Sequence, residues 1–167
     1  MRLCPVSSSA FAMPNQSIKT PCVGLCSTVY GDAVCRGCKR FHHEVVNWNG
    51  YDEAQKRAVW LRLERLLVQV MQAKLEVFDP GLLRQQLTQR QIRFVASQSE
   101  YTWAYQLIAR GARMINQVEL YGFVLLPEFR DWSLPDLRDA IDREFFLLSE
   151  AHYERYIAPA FLREAMG

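Results

Sequence analysis

The chain has 167 residues, half of them hydrophobic and 12% aromatic, and its formal net charge at pH 7 is +2. This composition excludes a disordered chain, and the small net charge argues against a protein that grips nucleic acid over its whole surface. No apolar run approaches the roughly 18 residues that a membrane-spanning helix needs, so we expect no membrane segment.

The N-terminal stretch 1–17 has one arginine and no apolar core of the kind found in secretory signals, so we expect a disordered tail. Met13, within this tail, is an alternative to Met1 as the native start. Cys4 lies here, apart from the other cysteines, and we do not expect it to bind a metal. Without an export signal, we expect a cytoplasmic protein whose thiols stay reduced.

A compact group of cysteines follows, with the spacing C-x3-C-x8-C-x2-C. Its members are Cys22, Cys26, Cys35 and Cys38. Gly24 and Gly37 lie inside the two cysteine pairs, and Gly31 lies between the pairs, where the chain must turn back. Sulfurs this close in sequence can converge on one point if the chain doubles back, so the pattern predicts a single metal site with four cysteine ligands.

The spacing leaves the identity of the metal open. Structural zinc sites and iron–sulfur clusters both use four cysteines. Two disulfides are the rival interpretation, but they require an oxidising compartment. His42 and His43 are the only histidines near the cysteines, and either one could replace a cysteine ligand.

Basic residues lie in and just after the second cysteine pair: Arg36, Lys39 and Arg40. They could offset the charge of about −2 that four thiolates leave on zinc or on an oxidised two-iron cluster. Two alternatives are that they are simply solvated, or that they form a basic patch for an acidic partner. Together with His42 and His43, they are candidates for contacts around the metal ligands or with a partner.

The run PCVGLC…CRGCKR resembles a small bacterial family, domain of unknown function 1289, which is usually labelled "predicted Fe-S protein". The resemblance covers about residues 18–70 and leaves the second half, Val77–Gly167, without a match. The matching positions are Pro21, Cys22, Gly24, Cys26, Cys35, Gly37, Cys38, Arg40, Glu44 and Trp48. The family label implies an iron–sulfur cluster and favours it over zinc.

Beyond the cysteines, apolar residues recur at helical steps, and Asp52, Asp79 and Ser133 are in position to cap helices. The predicted elements are a helical turn over 44–48, helices over about 52–77, 80–96, 100–121 and 134–156, and a buried connection over 123–132. We therefore predict an all-α protein with an irregular Cys4 knuckle at the N-terminal end of a bundle of about four helices. The predicted divisions are the tail 1–17, a metal-binding module 18–51 and a helical domain 52–167.

No catalytic signature is present: the sequence has no Gly-rich phosphate loop, H-E-x-x-H, G-x-S-x-G or Glu-x-x-His pair. The leading hypothesis is a non-enzymatic metal-binding protein with a structural role or a role in docking a protein partner. One alternative is an iron–sulfur redox or sensor protein. Another is a zinc-finger-like nucleic-acid binder, suggested by the basic residues after the cysteines and by the arginine-rich segment 84–93.

Overall fold

The computed structural model describes residues 18–167, so the predicted tail and Cys4 lie outside the described residues. The helices are α1 His42–Asn47, α2 Glu53–Gln72, α3 Pro80–Gln89, α4 Glu100–Gly111, α5 Leu134–His152 and α6 Ala158–Met166. The strands are β1 Leu75–Val77 and β2 Phe123–Leu125. The prediction of an all-α fold class is confirmed, because a sheet of two short strands is the remaining regular structure among these residues.

The hydrophobic core lies between α2, α4 and α5, with α3 packed against α4. Helix α2 contributes the stripe that its sequence period predicts, with Val59, Leu63 and Val70 all buried. From the other side, Leu107 and Ile108 of α4 and Ile141 of α5 are fully buried. Each such side chain contributes roughly 2 kcal/mol by leaving water, so this packing holds the three helices together.

Three helices begin where their capping residues predict. Asp52 accepts a hydrogen bond from the Gln55 N–H at 2.8 Å. Asp79 accepts one from the Leu82 N–H at 2.9 Å, and Ser133 accepts one from the Asp136 N–H at 3.2 Å. Each bond satisfies an N–H group that has no partner within the first helical turn.

Three helix ends differ from the prediction, and the first is that of α3, which ends at Gln89 rather than near 96 because the chain turns out of the helix at Gln91, where φ is +56°. Helix α2 ends at Gln72 rather than near 77, because residues 75–77 are extended and pair antiparallel with 123–125, in the register Leu75↔Leu125 and Val77↔Phe123. Helix α4 ends at Gly111 rather than near 121, and a separate 3₁₀ turn covers Val118–Tyr121. The predicted buried connection 123–132 therefore begins as strand β2.

Gly122 makes the approach of the two strands possible. Its φ is +88°, and a Cβ at this position would lie 2.3 Å from the backbone oxygen of Asp79. The Gly122 carbonyl accepts hydrogen bonds from the N–H groups of Phe78 and Asp79, each at 3.0 Å. Only glycine fits both the left-handed conformation and the close backbone contact.

The predicted helix over 134–156 is divided in the structure. Helix α5 runs into a π-helical segment, Tyr153–Ile157, and α6 follows directly. Pro159 lies in the first turn of α6, where a missing N–H costs nothing, so it permits a new helix instead of ending one. None of the helices in 18–167 is both long and apolar enough to cross a bilayer.

Residues 18–51, called the cysteine module below, pack against α2 and α5. Phe41 is fully buried, and its ring lies 3.9 Å from the Arg62 guanidinium and 5.2 Å from the Tyr153 ring. The Trp60 indole N–H donates to the Lys19 carbonyl at 2.9 Å, which fixes the start of the module on α2. Trp48 is also buried, as its predicted packing role requires.

Candidate metal centre

The second cysteine pair lies on a tight hairpin. Val34 and Phe41 form a β-bridge, the Cys35 N–H donates to the Arg40 carbonyl, and the Lys39 N–H donates to the Cys35 carbonyl, both at 2.8 Å. Lys39 has a positive φ of 63°, which closes the turn. Cys35 and Cys38 are consequently held close together and buried.

The first cysteine pair lies on a more open loop. Cys22 is exposed, and its sulfur accepts a hydrogen bond from the Gly24 N–H at 3.4 Å. Gly24 has a φ of +95°, so the turn inside this pair needs glycine. Cys26 is half-buried, with its sulfur 2.9 Å from the Thr28 hydroxyl. The chain then reverses through a 3₁₀ turn, Ser27–Tyr30, which ends at Gly31 with a φ of +97°.

The two loops meet at Gly37. A Cβ at Gly37 would lie 2.6 Å from a side-chain carbon of Val23 and 2.8 Å from the Leu25 carbonyl oxygen. The Arg36 N–H donates to the Ser27 hydroxyl at 2.8 Å. Gly37 is therefore required by a close approach between the loops rather than by its own backbone angles.

The Cys35 sulfur lies against the first loop, where its thiol is 3.6 Å from the Leu25 carbonyl oxygen. Burial of this thiol opposes ionisation, but the N–H groups of Cys38, Ser27 and Gly37, together with the Cys38 thiol, outweigh burial and lower the pKa of Cys35 to about 7. Ser27 directly follows Cys26, so the first loop takes part in stabilising a thiolate of the second. Burial raises the pKa of Cys38, and the Arg40 guanidinium partly opposes that increase.

The three basic residues take different positions. Arg40 is buried, donates to the Cys38 sulfur at 3.3 Å and lies 5.0 Å from the Trp48 ring. Lys39 is buried and pairs with Asp142 on α5, while Arg36 is exposed and pairs with Asp32 at 3.2 Å. Arg40 is therefore placed to stabilise negative charge on sulfur, and neither buried side chain offers a basic surface to nucleic acid.

The two histidines directly follow the hairpin, and the His42 N–H donates to the Ala33 carbonyl at 2.8 Å. His42 is exposed, and the His43 ring lies 5.3 Å from the Phe161 ring of α6. Burial lowers the pKa of His43, the Glu44 carboxylate opposes that lowering, and Arg62 and His42 add to it.

Within 18–167 the cysteines form no disulfide, so the rival interpretation gains no support. Over the same residues, no group of three or more His, Cys, Asp or Glu side chains is arranged to hold a metal ion. The structure thus brings the Cys35–Cys38 pair against the first loop at Leu25–Ser27, and the complete set of four sulfur ligands remains a prediction.

Sequence reasoning missed the ion pairs that anchor the module. Glu44 is buried, and its carboxylate accepts hydrogen bonds from both terminal guanidinium nitrogens of Arg62. It also accepts a 2.9 Å hydrogen bond from the Phe41 N–H. Glu44 and Arg62 are 18 positions apart, so no local spacing indicates the pair. The resemblance did single out Glu44, and its structural role is now visible.

These features define an all-α protein whose N-terminal module presents paired cysteines on two contacting loops. Residues 20–67 match the model of a family described as "Protein of unknown function (DUF1289)", which confirms the resemblance over that segment. No curated protein and no solved structure matches the chain. The cysteines and the family match are compatible with metal binding.

Proposed function

We propose that the chain binds one metal centre through Cys22, Cys26, Cys35 and Cys38, and that this centre has a structural or partner-docking role rather than a catalytic one. The centre is zinc or an iron–sulfur cluster, and we expect it in the cytoplasm, where thiols remain reduced. The observation that carries the proposal is the contact between the two cysteine loops, where the Cys35 sulfur lies 3.6 Å from the Leu25 carbonyl oxygen and Gly37 lies against Val23 and Leu25.

The residues present fit such a centre in their donor type, because cysteine binds metals as the thiolate and the pKa of Cys35 is lowered, although burial raises the pKa of Cys38. A pKa of about 7 leaves a large share of Cys35 ionised at neutral pH, and the buried Arg40 lies against Cys38. Zinc would supply folding free energy by tying the two loops together, and an iron–sulfur cluster would add the capacity to accept or donate an electron. The chain's own contribution is to hold the loops together at Gly37 and to offset the negative charge.

A partner-docking role is supported by apolar side chains on the first loop. Val23, Leu25, Val29 and Tyr30 are 65%, 79%, 74% and 89% exposed. Isolated exposed apolar residues are normal, but this group lies within eight consecutive positions beside the cysteines. A metal that fixes the loop would fix the arrangement of these side chains as well.

Elemental analysis and absorption spectroscopy of anaerobically purified protein test the proposal. We expect one zinc per chain in colourless protein, or stoichiometric iron and sulfide in coloured protein. Cys35→Ser and Cys38→Ser should each lower the metal content by most of its value. Cys4→Ser is the matched control, because this cysteine belongs to neither pair, and it should leave the metal content unchanged.

Metal-free wild-type protein, or equal metal loss in Cys4→Ser and Cys35→Ser, would contradict the proposal. The same spectra decide between a zinc protein and an iron–sulfur redox or sensor protein. If the centre is structural, a chelator should also lower the unfolding temperature of the wild type more than that of Cys38→Ser.

A further inference from the structure

A cavity of about 880 Å³ lies between the cysteine module and the helical domain. One wall is formed by residues 19–23 with Gly37 and Cys38, and the others by α2, the segment 88–98 and α4. Cavities of 300–1,000 Å³ are of the size that typically binds small molecules. Cys22 and Cys38 of the cysteine motif lie at one edge of this cavity, and the motif does not account for the walls formed by α2, α4 and the segment 88–98.

The cavity walls are mainly apolar and include aromatic rings from different elements. Trp60 of α2, Phe94 of the 88–98 segment and Phe145 of α5 line it. The Trp60 ring is held by its hydrogen bond to Lys19, and Phe94 packs edge-on against Trp103 at 5.4 Å. These rings are therefore fixed in place, which suits a ligand with a flat or aliphatic body.

One polar group in the cavity wall has no partner. Thr102 of α4 is 4% exposed, and within the described part of the chain its hydroxyl makes no hydrogen bond. A buried hydroxyl without a partner costs roughly 1–3 kcal/mol, and because this oxygen has almost no accessible surface, it offers no contact to a ligand in the cavity. Thr102, Gln106 and Arg110 recur at four-residue steps, so they form a polar line along one face of α4 within the apolar cavity.

Charge around the cavity favours an anion. Lys19, Arg93 and Arg110 line it and are exposed. The carboxylate of Glu64 also lines it, but it already accepts a 2.7 Å hydrogen bond from the Ser99 N–H. Arg110 lies about 12 Å further along α4 than Thr102, given the 1.5 Å rise per residue. The positive charge of Arg110 is therefore well separated from the Thr102 hydroxyl.

We propose that this cavity binds an amphipathic organic acid, with its anionic group at Arg93 and Arg110 and its apolar body against Trp60 and Phe94. Because Cys22 and Cys38 line the same cavity, a bound ligand contacts the cysteine module directly. The site goes beyond the proposed metal centre and does not require it, since the charge and the aromatic walls come from α2, α4 and residues 93–94.

The test compares two dyes that differ by one charge. The first, 8-anilinonaphthalene-1-sulfonate, is an aromatic anion, and the second, N-phenyl-1-naphthylamine, is the same ring system without the sulfonate. Titration calorimetry and fluorescence with the full chain should give one saturable site for the anion, bound about ten-fold more tightly than the neutral dye. The double variant Arg93→Gln/Arg110→Gln should remove that ten-fold preference and leave neutral-dye affinity unchanged.

The double variant Arg84→Gln/Arg113→Gln is the matched control, because both arginines are exposed and neither lines the cavity. It should keep the full preference for the anion. Gln106→Trp should place a larger side chain in the α4 wall, narrow the cavity and weaken binding of both dyes, with circular dichroism used to show that the variant is folded. Thr102→Val should leave the unliganded protein equally or more stable, because it removes an unpaired hydroxyl.

Several results would overturn the proposal. They are no saturable binding, equal affinity for the two dyes, an equal effect of both arginine pairs, or unchanged binding in folded Gln106→Trp. If protein that retains its metal does not bind the dyes, this ligand site is rejected while the proposed metal centre is not.

Discussion

Buried charged side chains around the cysteine hairpin each have a partner, on the hairpin itself for Arg40 and on another element for Lys39 and Glu44. Arg40 contacts the Cys38 sulfur, Lys39 pairs with Asp142, and Glu44 pairs with Arg62. Removing one member of a buried pair leaves the other charge without compensation, which costs more than the intact pair contributes. These side chains therefore fix the position of the module, and substituting them should lower the free energy of unfolding.

Glu44→Gln tests this at the residue scale. We expect a decrease of about 3 kcal/mol in the free energy of unfolding, because the half-buried Arg62 guanidinium loses its carboxylate. Urea denaturation followed by circular dichroism measures the change.

Glu53→Gln is the matched control for that experiment. Glu53 pairs with Arg57 at 2.9 Å, but the two side chains are 39% and 65% exposed. Surface pairs of this kind contribute little, so this variant should change the stability by less than about 0.5 kcal/mol. Equal losses of unfolding free energy in the two variants would show that the buried Glu44–Arg62 pair contributes no more to stability than the exposed pair.

At the scale of elements, α1 meets the end of α5 through aromatic rings. The ring of Phe41, which precedes α1, lies 6.0 Å from His152 and 5.9 Å from His43. Burial lowers the pKa of both histidines from the ordinary value of 6.5. Arg62 adds to the lowering in each case and Glu44 opposes it, with further lowering by His42 on His43 and by Arg65 on His152.

The direction of this shift predicts how stability depends on pH. Both imidazoles are held neutral in the folded protein, so the unfolded chain binds more protons below pH 6.5. The contribution of the histidines is therefore complete above that pH and is lost as the pH falls through 6.5 toward the lower folded pKa values. Urea denaturation at about pH 7.5 and about pH 5.5 should show the loss.

The double variant His43→Gln/His152→Gln isolates the histidines from the carboxylates and cysteines, which titrate in both proteins. Its stability should fall less between the two pH values than that of the wild type. If both proteins lose the same amount, the aromatic junction between α1 and α5 is not the source of the dependence.

In the whole molecule, helix α5 connects the cysteine module to the helical core. Asp142 pairs with Lys39 of the module, and Glu144 pairs with the buried Lys74 next to β1 at 2.7 Å. Arg143, which lies between them in sequence, faces solvent. Phe145, which follows Glu144, is buried, and its ring lies beneath the Lys39 ammonium. The cysteine module is therefore packed against the helical core through these contacts.

Asp142→Asn tests this connection. Lys39 is 2% exposed and would keep only the Gly37 carbonyl as a partner, at 3.0 Å. We expect a loss of about 1–2 kcal/mol, discounted because Asp142 itself is 54% exposed, with faster amide exchange over 34–41. Hydrogen exchange resolved by mass spectrometry measures it.

Asp139→Asn, on the same helix, provides the comparison. Asp139 is 62% exposed and pairs with its neighbour Arg138. It should change neither the stability nor the exchange of 34–41 measurably. Faster exchange over 34–41 in Asp139→Asn would mean that charge loss anywhere on α5 loosens the module.

Local chemistry predicted the beginnings of helices better than their ends. Asp52, Asp79 and Ser133 cap helices because the caps are made by neighbouring residues. The ends of α2 and α4 depended on contacts that sequence spacing does not contain. Leu75 and Leu125 pair across 50 positions, and no local pattern indicates that partnership.

The candidate site divides in the same way. Gly24 and Gly31 could be assigned to turns from sequence, and both have the positive φ that those turns need. The role of Gly37 could not, because it depends on the approach of Val23 and Leu25 from the other loop. The burial of Lys39 and Arg40 also required the fold, since nothing in their sequence neighbourhood distinguishes a buried charge from a solvated one.

The sequence by itself determined the all-α class, the places where helices begin and the grouping of the cysteines, because each of these depends on residues a few positions apart. Only the tertiary structure decided which charges are buried, where α2 and α4 end, and that a cavity opens between the cysteine module and the helices. Those features arise from residues far apart in the chain, whose contacts are set by the packing of the core.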